Sequence, residues 1–158
     1  PVEPDSAEPL ADIEVRPSRL RGIEVPEALV PLAIDEFPVF FIAAACADGV
    51  TVVRGAEELR VKESDRLAVM SDGLRALGVE HELLPDGMRI QGRPEGSAFD
   101  AGAIDSHGDH RVAMAFAIAS LRAAGPLEID DTANVATSFP GFAPLARSIG
   151  FEIRERGG

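Results

Sequence analysis

The sequence predicts an α/β fold with some α+β character, in which a supersecondary unit occurs twice and encloses buried helices between outer strands. The first observation is an internal repeat, because matching points recur at a spacing of roughly 72 to 76 residues, longer than the unit of a common solenoid. The second is that the runs opening the two copies are apolar nearly all round, which is typical of enclosed helices. The copies are predicted to occupy residues 11–86 and 87–158.

An apolar helix is predicted at the centre of each copy. The two runs begin at Asp35 and Asp109 and continue, rich in alanine, to Ala45 and Ala119. An aspartate at a helix start is often only an N-cap that accepts hydrogen bonds from backbone N–H groups, and for Asp35 this interpretation stays open. Both copies bring ionisable groups to the same end of their central helix, so a rotation between the copies would make those ends converge on a shared pocket.

Strands and a second, amphipathic helix follow each central helix. In the first copy this helix is predicted over residues 64–77, because Leu67, Met70 and Leu74 fall on one face. Both second helices end in a Leu-Gly or Ile-Gly pair, and glycine suits a helix C-cap because it tolerates positive φ. Strands are predicted over residues 12–16, 50–53, 79–83, 88–91, 127–129 and 151–154.

Composition and charge disfavour several classes of partner. The formal net charge of −12 opposes both the phosphate backbone of a nucleic acid and an anionic membrane surface. The chain of 158 residues contains no Trp or Tyr, the usual anchors of protein-recognition surfaces and base-stacking platforms. A small anionic ligand needs only a local cluster of cations, and Arg54, Arg60, Lys62 and Arg66 lie close together along the chain. We therefore expect no nucleic acid and no membrane partner.

The location expected from the sequence is cytoplasmic. Cys46 is the single cysteine; it cannot form an internal disulfide and is predicted to be a small core residue. The longest apolar stretch, residues 37–47, contains a proline and is too short to span a bilayer. The chain begins with proline and without a signal peptide, and we expect it to be a piece of a longer polypeptide.

The only lysine of the chain, Lys62, lies in the charged segment Arg60–Arg66. All other cationic side chains are arginine, so a compact and titratable ammonium is retained at one position, where its chemistry differs from that of a guanidinium. Lys62 and Arg66 are four residues apart and would share one face of a helix beginning near them. Glu63 could form a donor and acceptor pair with Lys62. The alternative is a solvated first helical turn without function.

Other titratable residues carry less signal. Arg111 follows Asp109 and His110 ahead of the second apolar helix, so it belongs to the expected convergence. His81 and His107 have no such setting and are predicted to be surface or turn residues. No Cys/His or paired-His spacing for zinc, no Walker loop and no GxGxxG pattern occurs.

Four motifs together resemble, in order and spacing, the C-terminal part of the EPSP synthase (3-phosphoshikimate 1-carboxyvinyltransferase) family. The resemblance extends over essentially the whole chain but over only about the last third of such an enzyme. The motifs are Asp35-Glu36-Phe37-Pro38, Glu58-Leu59-Arg60-Val61-Lys62-Glu63-Ser64-Asp65-Arg66, Asp109-His110-Arg111 and Ala136-Thr137-Ser138-Phe139-Pro140.

The resemblance implies the inside-out enolpyruvyl transferase fold, in which each of two domains contains three βαβαββ units with helices buried inside sheets. About two such units are expected here, as part of the C-terminal domain. It implies the transfer of the enolpyruvyl group of phosphoenolpyruvate to the 5-hydroxyl of shikimate 3-phosphate, with release of phosphate, in the route to chorismate and aromatic amino acids. It also implies no cofactor, no metal, and a missing N-terminal domain as partner.

The resemblance also implies residue roles. Asp35 would be the base near the 5-hydroxyl, Lys62 would contact shikimate 3-phosphate and the reacting oxygens, and Glu63 would take part in proton transfer at the enolpyruvyl carbon. Arg66 and Arg111 would bind phosphoenolpyruvate, a role that suits bidentate guanidinium groups. Without the N-terminal domain, and without the domain closure that excludes water, we expect negligible turnover.

Two other functions stay open at this stage. A UDP-amino-sugar enolpyruvyl transferase shares the fold, but the Lys62–Arg66 run does not favour it. A non-catalytic binding module derived from the same fold is less favoured, because the residues with implied roles are all present. At Thr137 the sequence departs from family members that carry a lysine there, so no catalytic cation is assigned to that position.

Overall fold

The computed structural model describes residues 11–156, which form five α-helices, five strands and short 3-10 helices. The 3-10 helices occupy residues 27–29, 31–36, 57–61 and 120–122. The strands are β1 (Val50–Val53), β2 (His81–Leu84), β3 (Gly87–Gln91), β4 (Gly102–Asp105) and β5 (Leu127–Asp130). The helices are α1 (Phe37–Ala45), α2 (Arg66–Ala76), α3 (His110–Ala119), α4 (Val135–Ser138) and α5 (Phe142–Ser148).

The first sheet is antiparallel and has the strand order β1-β3-β2. Thr51 of β1 and His81 of β2 both lie opposite Ile90 of the central strand β3. The Ile90 side chain is fully buried. Ahead of α1, the chain also runs parallel to β1, because the N–H of Val52 donates to the carbonyl of Ile23 at 2.9 Å. The first copy therefore contains an extended segment, α1, β1, α2, β2 and β3 in sequence.

The second sheet pairs β4 with β5 in parallel, and α3 makes the crossover between them. Ile104 stands opposite Ile129 in this pair. The same arrangement occurs in the first copy, where α1 connects the segment near Ile23 to β1. A parallel pair with a helical crossover therefore occurs in each of the two predicted copies, although β4 was not among the predicted strands.

The core lies where α1, α2 and α3 meet the sheets. Phe41 of α1, Leu74 of α2 and Phe116 of α3 are fully buried, so each of the three helices contributes apolar side chains to this core. Burial of α1 is incomplete, however, because Val39 is 40% exposed. Apolar side chains of α1 and α3, together with Phe99, line a groove of about 260 Å³.

Two predicted strands are wrong. Residues 12–16 alternate polar and apolar side chains, but they are exposed and have no ladder partner within the described residues. Residues 151–154 fold back on α5 instead: the N–H of Phe151 donates to the carbonyl of Ala146 at 3.0 Å, and Nε of Arg147 donates to the carbonyl of Ile153 at 2.9 Å. Alternation alone therefore did not produce a strand at either site, because a strand also needs a neighbour.

Other boundaries shift by small amounts. The helix predicted over 64–77 begins at Arg66, and the strand predicted over 79–83 occupies His81–Leu84. Strands over 50–53, 88–91 and 127–129 are confirmed within a residue. Strand β3 pairs with both β1 and β2, so its hydrogen bonds keep it with the first sheet. The division into two repeat units stays a prediction, and we propose that its boundary follows β3 instead of lying between residues 86 and 87.

Cys46 is half-buried at the C-terminal end of α1, at the edge of the apolar groove. Burial raises the pKa of its thiol, and the nearby Arg122 guanidinium opposes this increase only in part. Within residues 11–156, none of the helices has both the length and the apolar character needed to cross a membrane.

Candidate functional site

The site centres on Arg66, the first residue of α2. The helix begins here because the side chain of Asp65 caps it and accepts a hydrogen bond from the N–H of Ala68 at 3.0 Å. Lys62 lies before the helix in an extended conformation. The prediction that Lys62 and Arg66 share a helical face is therefore wrong, yet both side chains reach Asp35, at 3.5 and 3.0 Å respectively.

The guanidinium of Arg66 is 1% exposed and pairs with three carboxylates. Its Nε donates to Oδ2 of Asp109 at 2.8 Å, and one terminal nitrogen donates to Oδ1 of Asp35 at 3.0 Å. The other terminal nitrogen donates to Oε2 of Glu63 at 2.5 Å. Burial lowers the pKa of Arg66, but the hydrogen bond and charge of Asp109, together with the charges of Glu63 and Asp35, raise the pKa above its ordinary value. The guanidinium therefore remains charged in spite of its burial.

Asp109 is completely buried and caps α3. Its Oδ1 accepts hydrogen bonds from the N–H groups of Arg111 at 2.9 Å and Val112 at 3.3 Å. Its Oδ2 accepts from Arg66 and from the hydroxyl of Ser64, the latter at 3.0 Å. Burial alone would raise the pKa of Asp109, but the Arg66 hydrogen bond and charge hold this pKa below its ordinary value.

Asp35 belongs to a 3-10 helix that precedes α1, and Glu36 occupies the N-cap position of α1. The simple N-cap interpretation of Asp35 is therefore wrong. Its carboxylate faces Lys62, Arg66 and Arg111. The contact with Arg111 is the longest of the three, at 4.0 Å from a terminal nitrogen of Arg111 to Oδ2 of Asp35. Burial raises the pKa of Asp35, but the positive charges of Lys62, Arg111 and Arg66 together bring it below its ordinary value. The group is ionised at neutral pH.

Lys62 connects Asp35 to an additional acidic residue. Its Nζ lies 2.5 Å from Oε1 of Glu58, and the Lys62 side chain is 22% exposed. The hydrogen bond with Glu58 is the largest cause that raises the pKa of Lys62, so the ammonium stays protonated at neutral pH. Glu63 points its carboxylate at Arg66 and is 53% exposed.

Arg111, which lies in the second predicted copy, also contacts the charged cluster. The other members of this cluster are Asp35, Glu58, Lys62, Glu63, Arg66 and Asp109. The Arg111 side chain donates to the backbone carbonyl of Asp35 at 2.9 Å and to Oε1 of Glu36 at 3.3 Å. The starts of α1 and α3 therefore meet, as the repeat predicted, and Arg66 lies between Asp35 and Asp109. A cavity of about 120 Å³ opens beside them, lined by Asp35, Arg111 and apolar residues of both helices.

Two of the cations grouped by sequence lie elsewhere. Arg54 pairs with Asp86 at 3.0 Å, and Arg60 pairs with Asp65 at 2.8 Å while donating to the carbonyls of Leu84 and Pro85. Both arginines therefore bind the turn between β2 and β3. Proximity along the chain suggested four cations at one ligand, but only two of those four face Asp35.

Sequence reasoning missed the contributions of Ser64 and Glu58, and it treated Asp109 only as the repeat mate of Asp35. The alignment of the copies was the available signal for Asp109. His81 and His107 lie outside the cluster: His81 pairs with Ser71 at 2.8 Å, and His107 forms a turn with a φ of 50°. Thr137 is exposed on α4 and donates to the carbonyl of Asn134. No group of metal-ligating side chains was found among the described residues.

The geometry defines an α/β fold in which the starts of α1, α2 and α3 meet at a cluster of opposite charges suited to a small anionic ligand. The profile of the EPSP synthase (3-phosphoshikimate 1-carboxyvinyltransferase) family matches residues 5–145. The chain belongs to this family.

Individual relatives agree with the family profile. A 3-phosphoshikimate 1-carboxyvinyltransferase of Alkalilimnicola ehrlichii is 62% identical over 146 residues, which is 92% of this chain and 32% of the relative. One of Nitrosococcus oceani is 63% identical over 147 residues, covering 93% of this chain and 32% of the relative. A solved EPSP synthase of Acinetobacter baumannii has a TM-score of 0.82 and 53% identity, covering 84% of this chain and 31% of that one. The chain spans about a third of the length of these relatives.

Proposed function

We propose that this chain supplies part of the active site of a 3-phosphoshikimate 1-carboxyvinyltransferase. In this reaction the 5-hydroxyl oxygen of shikimate 3-phosphate bonds to C2 of phosphoenolpyruvate while C3 gains a proton. C3 then loses a proton as the bond from C2 to the phosphate oxygen breaks, releasing phosphate. The observation that carries the proposal is the convergence of Lys62, Arg66 and Arg111 on the carboxylate of Asp35.

The arginines are proposed to bind phosphoenolpyruvate. Arg66 already binds carboxylates through its terminal nitrogens, and Arg111 is one third exposed beside the cavity. A carboxylate or phosphate of the substrate would replace the carboxylates of Asp35 and Glu63 at these nitrogens, because planar guanidinium groups bind such anions in a bidentate manner. The ion pairs of the chain therefore outline the places where substrate charges would lie.

Asp35, Lys62 and Glu63 are proposed to carry out the proton transfers. Asp35 is ionised, since nearby cations hold its pKa below the ordinary value, and an ionised carboxylate can accept the proton of the 5-hydroxyl. Lys62, whose pKa is raised mainly by its hydrogen bond with Glu58, would donate to the reacting oxygens. Glu63, about half exposed and within reach of the same arginine as Asp35, would exchange a proton with the enolpyruvyl carbon.

The isolated chain is expected to turn over negligibly. Asp35 and Glu63 are each about half exposed to solvent, whereas the proposed reaction needs a site from which water is excluded. The rest of the enzyme, including its N-terminal domain, would complete the contacts with shikimate 3-phosphate and close over the site. The proposed chemistry uses no cofactor, and a cytoplasmic location stays a prediction.

The decisive experiment measures phosphate release from phosphoenolpyruvate plus shikimate 3-phosphate. The protein would be a full-length chimaera in which this chain replaces the matching segment of the A. ehrlichii relative, which is 62% identical to it. Release by the chimaera, with none from the 158-residue chain alone, is the expected result. A folded chimaera that releases no phosphate would contradict the proposal and favour a non-catalytic binding module.

A UDP-amino-sugar substrate distinguishes the remaining enzyme class. The same chimaera would be offered phosphoenolpyruvate with the UDP-sugar in place of shikimate 3-phosphate. We expect no release, because the relatives with 58–64% identity carry the name 3-phosphoshikimate 1-carboxyvinyltransferase. Release with the UDP-sugar alone would reassign the acceptor.

A further inference from the structure

The buried carboxylate of Asp109 contacts both arginines of the proposed site at once. Its Oδ2 accepts from Nε of Arg66 at 2.8 Å, and its Oδ1 accepts from the backbone N–H of Arg111 at 2.9 Å. We propose that Asp109, held in place by the hydroxyl of Ser64, is a positioning residue that fixes the two anion-binding arginines relative to each other. This inference rests on the proposed function.

The two edges of the Arg66 guanidinium lie in different surroundings. The Nε edge faces Asp109, whose side chain has no exposed surface. The terminal nitrogens face Asp35 and Glu63, which are 46% and 53% exposed. An incoming anion can therefore displace the two exposed carboxylates while the buried contact stays in place. The buried edge determines the direction in which the exposed edge points.

Ser64 determines which way the Asp109 carboxylate is turned. Its hydroxyl donates to Oδ2 at 3.0 Å, so Oδ2 has two donors and Oδ1 has the two N–H donors of α3. A carboxylate with two donors on each oxygen has little freedom to rotate. Loss of the Ser64 hydroxyl would leave Arg66 as the only donor to Oδ2, and the Arg66 orientation would become less defined.

An amide at position 109 could not serve both arginines. An Asn side chain has one oxygen and one NH₂ group. If its oxygen caps α3 at Arg111, its NH₂ faces the N–H of Arg66, and two donors oppose each other. If it is flipped, α3 loses its cap. Only a carboxylate can therefore accept hydrogen bonds from both the start of α3 and the buried guanidinium of Arg66 at this position.

The test uses Ser64→Ala, Ser64→Thr and Asp109→Asn in the full-length chimaera. We expect Ser64→Ala to raise KM for phosphoenolpyruvate about tenfold, the scale of one hydrogen bond to a charged group, while KM for shikimate 3-phosphate stays unchanged. Ser64→Thr keeps the hydroxyl and should restore the original KM. Asp109→Asn should act in the same direction and more strongly.

Ser71→Ala is the matched control, because Ser71 is a buried serine of α2 whose hydroxyl bonds to His81, outside the cluster. A KM for phosphoenolpyruvate that is unchanged in Ser64→Ala, or altered equally by Ser71→Ala, would overturn the positioning role. The Ser64 variants decide the matter even if Asp109→Asn does not fold, because they leave the buried carboxylate in place.

A second measurement separates this inference from the proposed function. Inorganic phosphate should raise the thermal midpoint of the 158-residue chain if the arginines bind an anion. Ser64→Ala should shift the phosphate dependence to about tenfold higher concentration. If the chimaera is inactive but this shift occurs, the proposed function fails and the positioning role stands. If the chimaera is active and Ser64→Ala shows neither effect, the positioning role fails alone.

Discussion

Nε of Arg66 donates a hydrogen bond to Oδ2 of Asp109 at 2.8 Å, between two side chains that are at most 1% exposed and 43 positions apart. Arg66 starts α2 in the first copy, and Asp109 starts α3 in the second. The contact therefore joins the two predicted repeat units through buried charges. Removing one partner of such a pair is costly because the other charge remains buried without compensation.

Replacing Arg66 by Met is expected to destabilise the chain strongly. The change leaves the carboxylate of Asp109 buried with only Ser64 and backbone N–H partners, which predicts a loss of about 3–5 kcal/mol in the free energy of unfolding. Urea denaturation followed by circular dichroism measures it. The control is Arg75→Met on the same helix, where an exposed pair with Asp72 predicts a change within about 0.5 kcal/mol.

The double variant Arg66→Met with Asp109→Asn sharpens this prediction. It should recover part of the stability lost in Arg66→Met, because the buried carboxylate is gone. Additive losses in the two single variants would show that the charges of Arg66 and Asp109 are not coupled.

Replacing Lys62 by Met is expected to separate function from stability. In the chimaera, phosphate release should fall below detection, since Lys62 faces Asp35 at the proposed reaction centre. The thermal midpoint of the isolated chain should hardly change, because the carboxylates of Asp35 and Glu58 that pair with Lys62 are about half exposed, and ion pairs of solvent-exposed groups contribute little. An active Lys62→Met enzyme would contradict the assignment of Lys62. Arg54→Met, which removes an exposed cation paired with Asp86, should leave phosphate release intact.

The chain should lose stability in acid partly through Asp109. Burial raises the pKa of Asp109, but the hydrogen bond and charge of Arg66 lower it by more than burial raises it. The pKa of Asp109 in the folded chain therefore lies below its ordinary value. The ionised carboxylate therefore stabilises the fold above the unfolded pKa of about 3.9, and this contribution is lost as the pH falls from there through the folded pKa. Thermal midpoints of Asp109→Asn measured from pH 6 to pH 3 should fall less steeply than those of the original chain.

Asp86 provides the comparison for this titration. Its pKa is also lowered, first by the N–H of Gly55 and then by Arg54, but at an exposed hairpin. Asp86→Asn should flatten the acid dependence only at low ionic strength, because salt screens exposed charges more than buried ones. An equal effect of 0.5 M salt on Asp86→Asn and Asp109→Asn would count against a buried origin of the Asp109 shift.

Sequence patterns predicted the elements that have strong local signals. The apolar runs became α1 and α3, and the β-branched run at Val50–Val53 became β1. Strand β4 was missed because Gly102–Asp105 contains residues of low β-propensity, and its pairing with β5, 25 residues further on, makes it a strand. The pairing of β4 with β5 depends on residues distant in sequence, so the residues around β4 alone could not predict it.

The site was predictable in its members more than in its geometry. The resemblance pointed to Lys62, Glu63 and Arg66 through one charged segment, and the structure brings all three to the Asp35–Asp109 cluster. The spacing argument behind the Lys62 and Arg66 pair failed, because Asp65 caps the helix after Lys62. Which carboxylate binds which nitrogen depends on how α1, α2 and α3 pack, and no spacing in the sequence encodes this directly.

At Gly73, helix α2 lies so close to α3 that a side chain larger than hydrogen would clash. A Cβ at this residue would lie 2.2 Å from Cζ of Phe116 and 3.1 Å from Cγ2 of Ile104. Phe116 is fully buried, so its ring has little room to move. Gly73→Ala would gain roughly 1 kcal/mol of helix propensity, but we expect overpacking to cost more, about 1–3 kcal/mol, leaving a less stable chain.

A second substitution tests whether the contact with Phe116 is the cause. Phe116→Leu shortens the side chain that the new methyl group would meet, so Gly73→Ala should be better tolerated in the Phe116→Leu background than in the original chain. A double-mutant cycle of urea denaturation midpoints measures this coupling. If Gly73→Ala destabilises both backgrounds equally, the contact with Phe116 is not the cause of the loss, and the contact with Ile104 of β4 is the remaining close approach.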